Sequence, residues 1–177
     1  MNLEALRYPI GRFNATENFN DYGVEHFINQ ISLLPNKLAT LVSDMSQEQL
    51  DTPYRESGWT VRQVIHHIAD SHMNSYIRFR LALTEDNPTI KPYAEEKWAL
   101  LEDSCKAPIG WSLQLIDALH RRWVFMLRSM SERDFQKTFF HPESLKKLSL
   151  REVVAVYAWH GEHHYEHINQ LKIRMGW

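Results

Sequence analysis

The sequence predicts an all-α protein, a four-helix bundle with a long connection after the second helix. Three observations point there. Four long segments carry apolar residues at steps of three and four. Two of them open with a Thr or Ser followed three residues later by Gln or Glu, the capping-box pattern. Period-two alternation, the mark of a half-buried strand, is almost absent.

The first long helix is expected over Gly23 to Asp44, with Phe27, Ile31, Leu34, Leu38 and Leu41 on its apolar face. Pro35 should kink it, because a mid-helix proline removes a backbone donor and crowds the preceding turn. The second follows Gly58 and Trp59. Thr60 and Gln63 form its capping box, Val61, Ile65, Ile68, His72, Tyr76 and Phe79 recur at helical spacing, and it should end near Thr84.

Asn87-Pro88 and Lys91-Pro92 mark a loop, followed by a short helix from Ala94 to Glu102 and a break at Pro108-Ile109-Gly110. The third long helix is expected from Ser112 to Met130, using Leu115, Leu119, Trp123, Met126 and Met130. Ser131 and Asp134 read as a short extra turn, and His141-Pro142 opens a connection that could hold a small hairpin. Ser149 with Glu152 then announces the fourth long helix, whose stripe is Leu150, Val154, Tyr157, Gly161, His164, Ile168 and Leu171. The long connection after the second helix argues against a plain up-down array.

A chain of 177 residues fits one domain, residues 1–177, with a full core. Twenty basic against 22 acidic residues leave a formal charge of -2, which offers no electrostatic reason to expect nucleic acid or an anionic membrane as partner. No apolar run reaches the roughly 18 residues of a membrane span. Met1 to Thr16 contains Glu4, Arg7, Pro9 and Arg12 and lacks the apolar core of a signal peptide. The lone Cys105 has no internal partner for a disulfide. A reducing cytoplasmic location is the expectation.

Histidine is the residue out of proportion. Seven of ten fall in two clusters: His66, His67 and His72, then His160, His163, His164 and His167. Imidazole is the commonest protein ligand for transition metals. His160 and His164, four apart, project from one helical face, a spacing that lets two imidazoles reach one ion. His163 and His167 form a rival pair within a formal HxxEH pattern, but they sit roughly 100° off the apolar stripe, so His160 and His164 are preferred. For a third ligand, periodicity favours His72, His67 lies at the edge of the same face, and His66 faces away; spacing leaves His67 and His72 both open.

The bland reading stands beside this one. A histidine inside a helical bundle is more often a hydrogen-bonded core residue than a ligand. Asp70 reads equally as an acceptor that fixes an imidazole tautomer or as an exposed helix charge. Glu162 should point roughly 200° away from His160 and reads as surface. Trp59, Trp98, Trp111, Trp123 and Trp159 are read as core or interface aromatics. No phosphate-binding glycine loop, no local Ser-His-Asp signature and no basic aromatic stripe is present.

The stretches Asp51 to Arg55, Gly58 to Gln63, His66-His67 and Ala69 to Phe79 resemble the YfiT-like branch of the DinB/YfiT-like superfamily of metalloenzymes. So do Leu83 to Glu85, Pro88, Pro92-Tyr93, His120, Arg122-Trp123 and His141-Pro142. Tyr157, Trp159-His160, His163-His164, His167-Ile168 and the closing Arg174 to Trp177 extend the likeness over nearly the whole chain. The resemblance implies a four-helix bundle holding one divalent ion, zinc or nickel, on three histidines, which here are His67, His160 and His164. Three neutral imidazoles leave coordination positions open, as in a catalytic site.

Such an ion lowers the pKa of a bound water or holds a thiol as thiolate. The branch carries the label of metal-dependent hydrolase, and related members look like S-transferases using low-molecular-weight thiols such as bacillithiol. Asp70, Arg78 and Tyr93 are candidates to orient ligands or hold a small-molecule substrate. A homodimer is the family expectation. The alternatives are a non-catalytic metal-binding or stress-response bundle, and a bundle whose histidines are only core fillers.

Overall fold

The computed structural model describes residues 2–14 and 22–177; Met1 and Thr16, the limits of the stretch read for a signal peptide, lie outside them. Nine helices and one hairpin make up the described fold, and four of the helices are long: α2 (Val24–Val42), α4 (Val61–Thr84), α7 (Ile109–Ser129) and α9 (Leu150–Met175). The short elements are α1 (Leu3–Arg7), α3 (Gln47–Leu50), α5 (Glu95–Trp98), α6 (Glu102–Lys106), α8 (Glu132–Phe135), β1 (Thr138–His141) and β2 (Lys146–Ser149). No described helix is long and apolar enough to cross a membrane.

The long helices form a four-helix bundle in which α9 packs against α2 and α4, and α7 packs against the same two. The first and second long helices are therefore diagonal partners, as are the third and fourth. Consecutive long helices are neighbours only at α4 to α7, so the topology departs from an up-down array. The long connection expected after the second helix, residues 85–108, joins the one adjacent pair, so the departure comes from the connections on either side of it, each of which makes a diagonal step. Residues 130–149 make one such step, filled by α8 and the antiparallel hairpin, whose register pairs Thr138 with Ser149 and Phe139 with Leu148.

Both expected capping boxes are present, Thr60 with Gln63 and Ser149 with Glu152, and each satisfies donors that a helix start leaves open. Two more, at Ser46 with Gln49 and Ser131 with Asp134, open α3 and α8. The helix α2 runs unbroken through the buried Pro35. On α9 every residue of the expected stripe is buried, and Gly161 marks the close approach to α2: a Cβ there would sit 2.4 Å from Leu34 Cδ2.

Several expectations are corrected. The third long helix starts at Ile109 rather than Ser112, because Pro108 opens it instead of ending a loop; a helix start needs no N–H from its first residues. Its buried face is Ile116, Leu119, His120, Trp123, Val124 and Leu127, while Leu115 is 43 % exposed. Apolar residues stand on both sides of that helix, so periodicity allowed two registers. The short helix expected over Ala94 to Glu102 is two separate turns, α5 and α6. Trp111 is 67 % exposed and belongs to no core.

Apolar packing falls into two clusters stacked along the bundle. One gathers Ile31, Tyr76, Phe79, Trp123, Val154 and Tyr157; the other gathers Leu34, Leu38, Ile65, Ile68, Ile116 and Ile168. His72, His160 and His164 occupy, on their respective helices, the turns between the two, and His120 joins them from the edge of the first. Buried polar groups in a layer across an apolar bundle need hydrogen-bond partners, and here the histidines supply them to one another.

Candidate metal centre

His67 enters this layer from α4, and His160 and His164 enter from α9, where the i, i+4 spacing puts both imidazoles on one face. One ring nitrogen from each of the three lies within 4.8 Å of the others. His67 Nε2 and His160 Nε2 are 3.2 Å apart. Trp59 caps the group, its ring centroid 4.6 Å from that of His67 and 6.3 Å from that of His164.

Burial keeps these imidazoles neutral. It pushes His67 down to about 4, and it holds His160 and His164 well below the ordinary imidazole range, with the neighbouring histidines adding to the effect. Neutral imidazoles converging to this spacing place lone pairs of a borderline-soft donor around a common point. That set fits a divalent transition ion, which needs deprotonated nitrogen and, when it is zinc, brings no geometric preference from its d-electrons.

His72, the other residue left open by spacing, lies on the far side of His160. Its Nε2 is 3.2 Å from His160 Nδ1, and its Nδ1 is 2.9 Å from His120 Nε2. His120 Nδ1 in turn donates to the Ile31 carbonyl at 2.7 Å. The rival pair is placed apart from the triad's meeting point: His163 stacks on Trp159, and His167 donates through Nε2 to the Arg7 carbonyl at 3.1 Å.

Both are buried rather than turned to solvent, because α1 and Tyr54 cover that side of α9. A reading built on four helices had nothing to place there. His66, expected to face away, is also buried: Ser112 and the Ala107 carbonyl close over it at 2.7 and 3.2 Å.

One cleft opens onto the triad, and a second reaches His160 alone of the three. The first, of about 700 Å³, is lined by Arg7, Tyr54, Arg55, Trp59, His67, His160 and His164. The second, of about 570 Å³, is lined by Ser71, Arg78, Tyr93, His141, Tyr157 and His160. His160, Glu95 and Glu96 line both. A separate hollow of about 570 Å³ between α2 and α7 includes none of the triad.

Arg78 and Tyr93 thus reach a cleft that His160 also lines, and burial holds the Tyr93 hydroxyl well above the usual phenol range. Asp70 lines neither cleft and bonds no histidine among the described residues; burial, with Asp103 second, pushes it up to about 6. Glu162 points away from the triad and pairs with Lys37. Sequence reasoning missed Trp59 as a cleft residue, and also Glu95, whose carboxyl is raised from its ordinary value by partial desolvation and by Glu96 and Glu143 nearby. The Trp59 position next to a helix-capping Thr60 was the available signal, since a residue just before a helix start projects from the bundle end.

The sequence pattern of the DinB superfamily matches residues 30–168. Two relatives, each named "Putative metal-dependent hydrolase", come from Bacillus mycoides (strain KBAB4) and Bacillus cereus (strain B4264). Each is 54% identical over 175 residues, covering 99% of this chain and 100% of its own. A solved structure, YfiT from Bacillus subtilis, superposes with a TM-score of 0.94 at 46% identity, covering 98% of this chain and 99% of that one. That protein is described as "a probable metal-dependent hydrolase with an unusual four-helix bundle topology".

Proposed function

The chain belongs to the DinB superfamily, and on that premise we propose that it is a metal-dependent enzyme whose divalent ion, zinc or nickel, is held by His67, His160 and His164. The observation that carries this reading is the convergence of three imidazole nitrogens, from the buried His67 and His164 and the half-buried His160, within 4.8 Å at the meeting of two clefts. When bound, the ion would supply the positive charge that makes water or a thiol nucleophilic near neutral pH.

The protein's own residues do the rest. Trp59 shields one side of the histidines from bulk water. Arg55 and Arg7, in the larger cleft, and Arg78, in the smaller, offer positive charge to anionic parts of a small substrate. Glu95 stands where both clefts meet, and partial desolvation there, with Glu96 and Glu143 nearby, raises its carboxyl and makes it a better proton acceptor.

Hydrolysis is the first reading, in keeping with the names of the relatives. S-transfer from a low-molecular-weight thiol of the bacillithiol type is the second, favoured by the pair of clefts: hydrolysis needs one organic substrate, and transfer needs two. Residence in the reducing cytoplasm and assembly as a homodimer belong to the same proposal.

The test is turnover of a panel of small esters, amides and electrophilic halides by zinc- or nickel-loaded protein, with and without added thiol. Turnover without thiol supports the hydrolase, and turnover only with thiol supports the transferase. Metal uptake with no turnover in either arm would return the protein to a non-catalytic metal-binding bundle.

A further inference from the structure

We propose that His72, His120 and His167 are positioning residues that set the proton order of the site, so that His160 and His164 both present Nε2 as an unprotonated donor. Each of two histidine chains begins at a main-chain carbonyl, which can only accept. In the first, the Ile31 carbonyl on α2 receives His120 Nδ1–H at 2.7 Å. A neutral His120 then has a bare Nε2, which accepts from His72 Nδ1–H at 2.9 Å. A neutral His72 has a bare Nε2 in its turn, which accepts from His160 Nδ1–H at 3.2 Å. His160 is left with its lone pair on Nε2, the nitrogen 3.2 Å from His67 Nε2.

The second chain is shorter and independent. The Arg7 carbonyl receives His167 Nε2–H at 3.1 Å. The bare Nδ1 of His167 accepts from His164 Nδ1–H at 3.3 Å, leaving the His164 lone pair on Nε2. Neutrality, the premise of both deductions, follows from the partners: among the described residues each of the five rings bonds only to imidazoles and main-chain carbonyls, with no bonded carboxylate to balance a second proton. In the protein without metal, His67 Nε2–H donates to His160 Nε2, which completes the first chain.

Both anchors are carbonyls that the helix backbone leaves open. Arg7 ends α1, and the last carbonyls of a helix have no partner within it. Ile31 stands four residues before Pro35, which has no N–H to return to it. The mid-helix proline thus frees the acceptor on which the longer chain rests. That chain crosses all four long helices, from α2 through α7 and α4 to α9.

The first arm reads tautomers directly in metal-free protein, by long-range ¹H–¹⁵N correlation of histidine ring nitrogens. It does not depend on the metal reading. The expected pattern is Nδ1–H at His72, His120, His160 and His164, and Nε2–H at His67 and His167. Nε2–H at His160 and His164 in the wild type would overturn the inference.

The second arm rests on the proposed metal site and uses zinc alone, titrated against a chelator. His72→Leu removes the acceptor for His160 Nδ1–H and should weaken zinc binding roughly 10- to 100-fold. His72→Gln keeps an acceptor towards His160 and a donor towards His120, and should bind within roughly 3-fold of wild type, a rescue that mere packing would not give. A His72→Leu protein that binds zinc as tightly as wild type would overturn the inference. If the wild type binds no zinc, the metal reading fails while the tautomer arm still decides this one.

Discussion

Acidification should unfold the metal-free protein in a narrow and unusually high pH range. Burial pushes His67, His120 and His167 down to about 4 and His163 to about 3, against an unfolded value of about 6.5. For such groups the unfolded chain binds more protons than the folded one at every pH between those limits, so stability falls as pH falls. The loss begins at the unfolded value and continues down to the folded one. Between pH 7.5 and 5.5 each of these four histidines removes about 1.3 kcal/mol, or about 5 kcal/mol together.

His72, His160 and His164, held well below the ordinary imidazole range, act in the same direction. Asp70, raised to about 6, acts against them by less than about 1 kcal/mol, because it gains its proton in the folded state first. A domain's whole stability is about 5–15 kcal/mol. Denaturant melts followed by circular dichroism, on protein stripped with chelator, should therefore lose at least about 4 kcal/mol between pH 7.5 and 5.5. A change smaller than about 1 kcal/mol over that interval would refute the picture of a neutral, buried histidine layer.

Two substitutions probe the layer from its margins. His163 has a buried Nδ1 with no hydrogen-bond partner and a stack on Trp159, so His163→Leu exchanges two opposing terms; stability at pH 7.5 should stay within about 1 kcal/mol of wild type. The same variant should lose about 1.3 kcal/mol less than wild type on going to pH 5.5, measured by paired denaturant melts, and should bind zinc unchanged. Gly161→Ala gains about 1 kcal/mol of helix propensity but drives a methyl into Leu34, an overpacking that costs about 1–3 kcal/mol. A net destabilisation of about 1 kcal/mol is expected from melts, with weaker zinc binding because pushing α9 off Leu34 at this point displaces the backbone that carries His160.

The bundle and its caps were legible because they are local: apolar spacing and capping residues speak for a single helix without reference to the rest of the chain. The i, i+4 relation of His160 and His164 is local in the same sense. The choice between His67 and His72 was not, since both lie on the inner side of α4 and only the packing of α4 against α9 decides which one meets His160 Nε2 and which meets Nδ1.

The burial of His66, His163 and His167 was hidden for a related reason. Each is covered by a short segment, α1 or the turn around Ala107, whose few residues carry no readable period. Pro35 was visible as a helix irregularity, but its consequence depends on His120 arriving from 89 residues away. The register of α7 failed because Leu115 and Ile116 stand side by side, and periodicity cannot rank adjacent apolar residues.

The central claim is a metal site made by three histidines, and metal content tests it most directly. Protein purified without an affinity tag should hold close to one zinc or nickel per chain by elemental analysis, and a His160→Ala, His164→Ala double variant, still helical by circular dichroism, should hold none. A wild-type protein that is metal-free as purified, and that takes up neither zinc nor nickel when they are supplied, would contradict the account and leave the histidine layer a structural one.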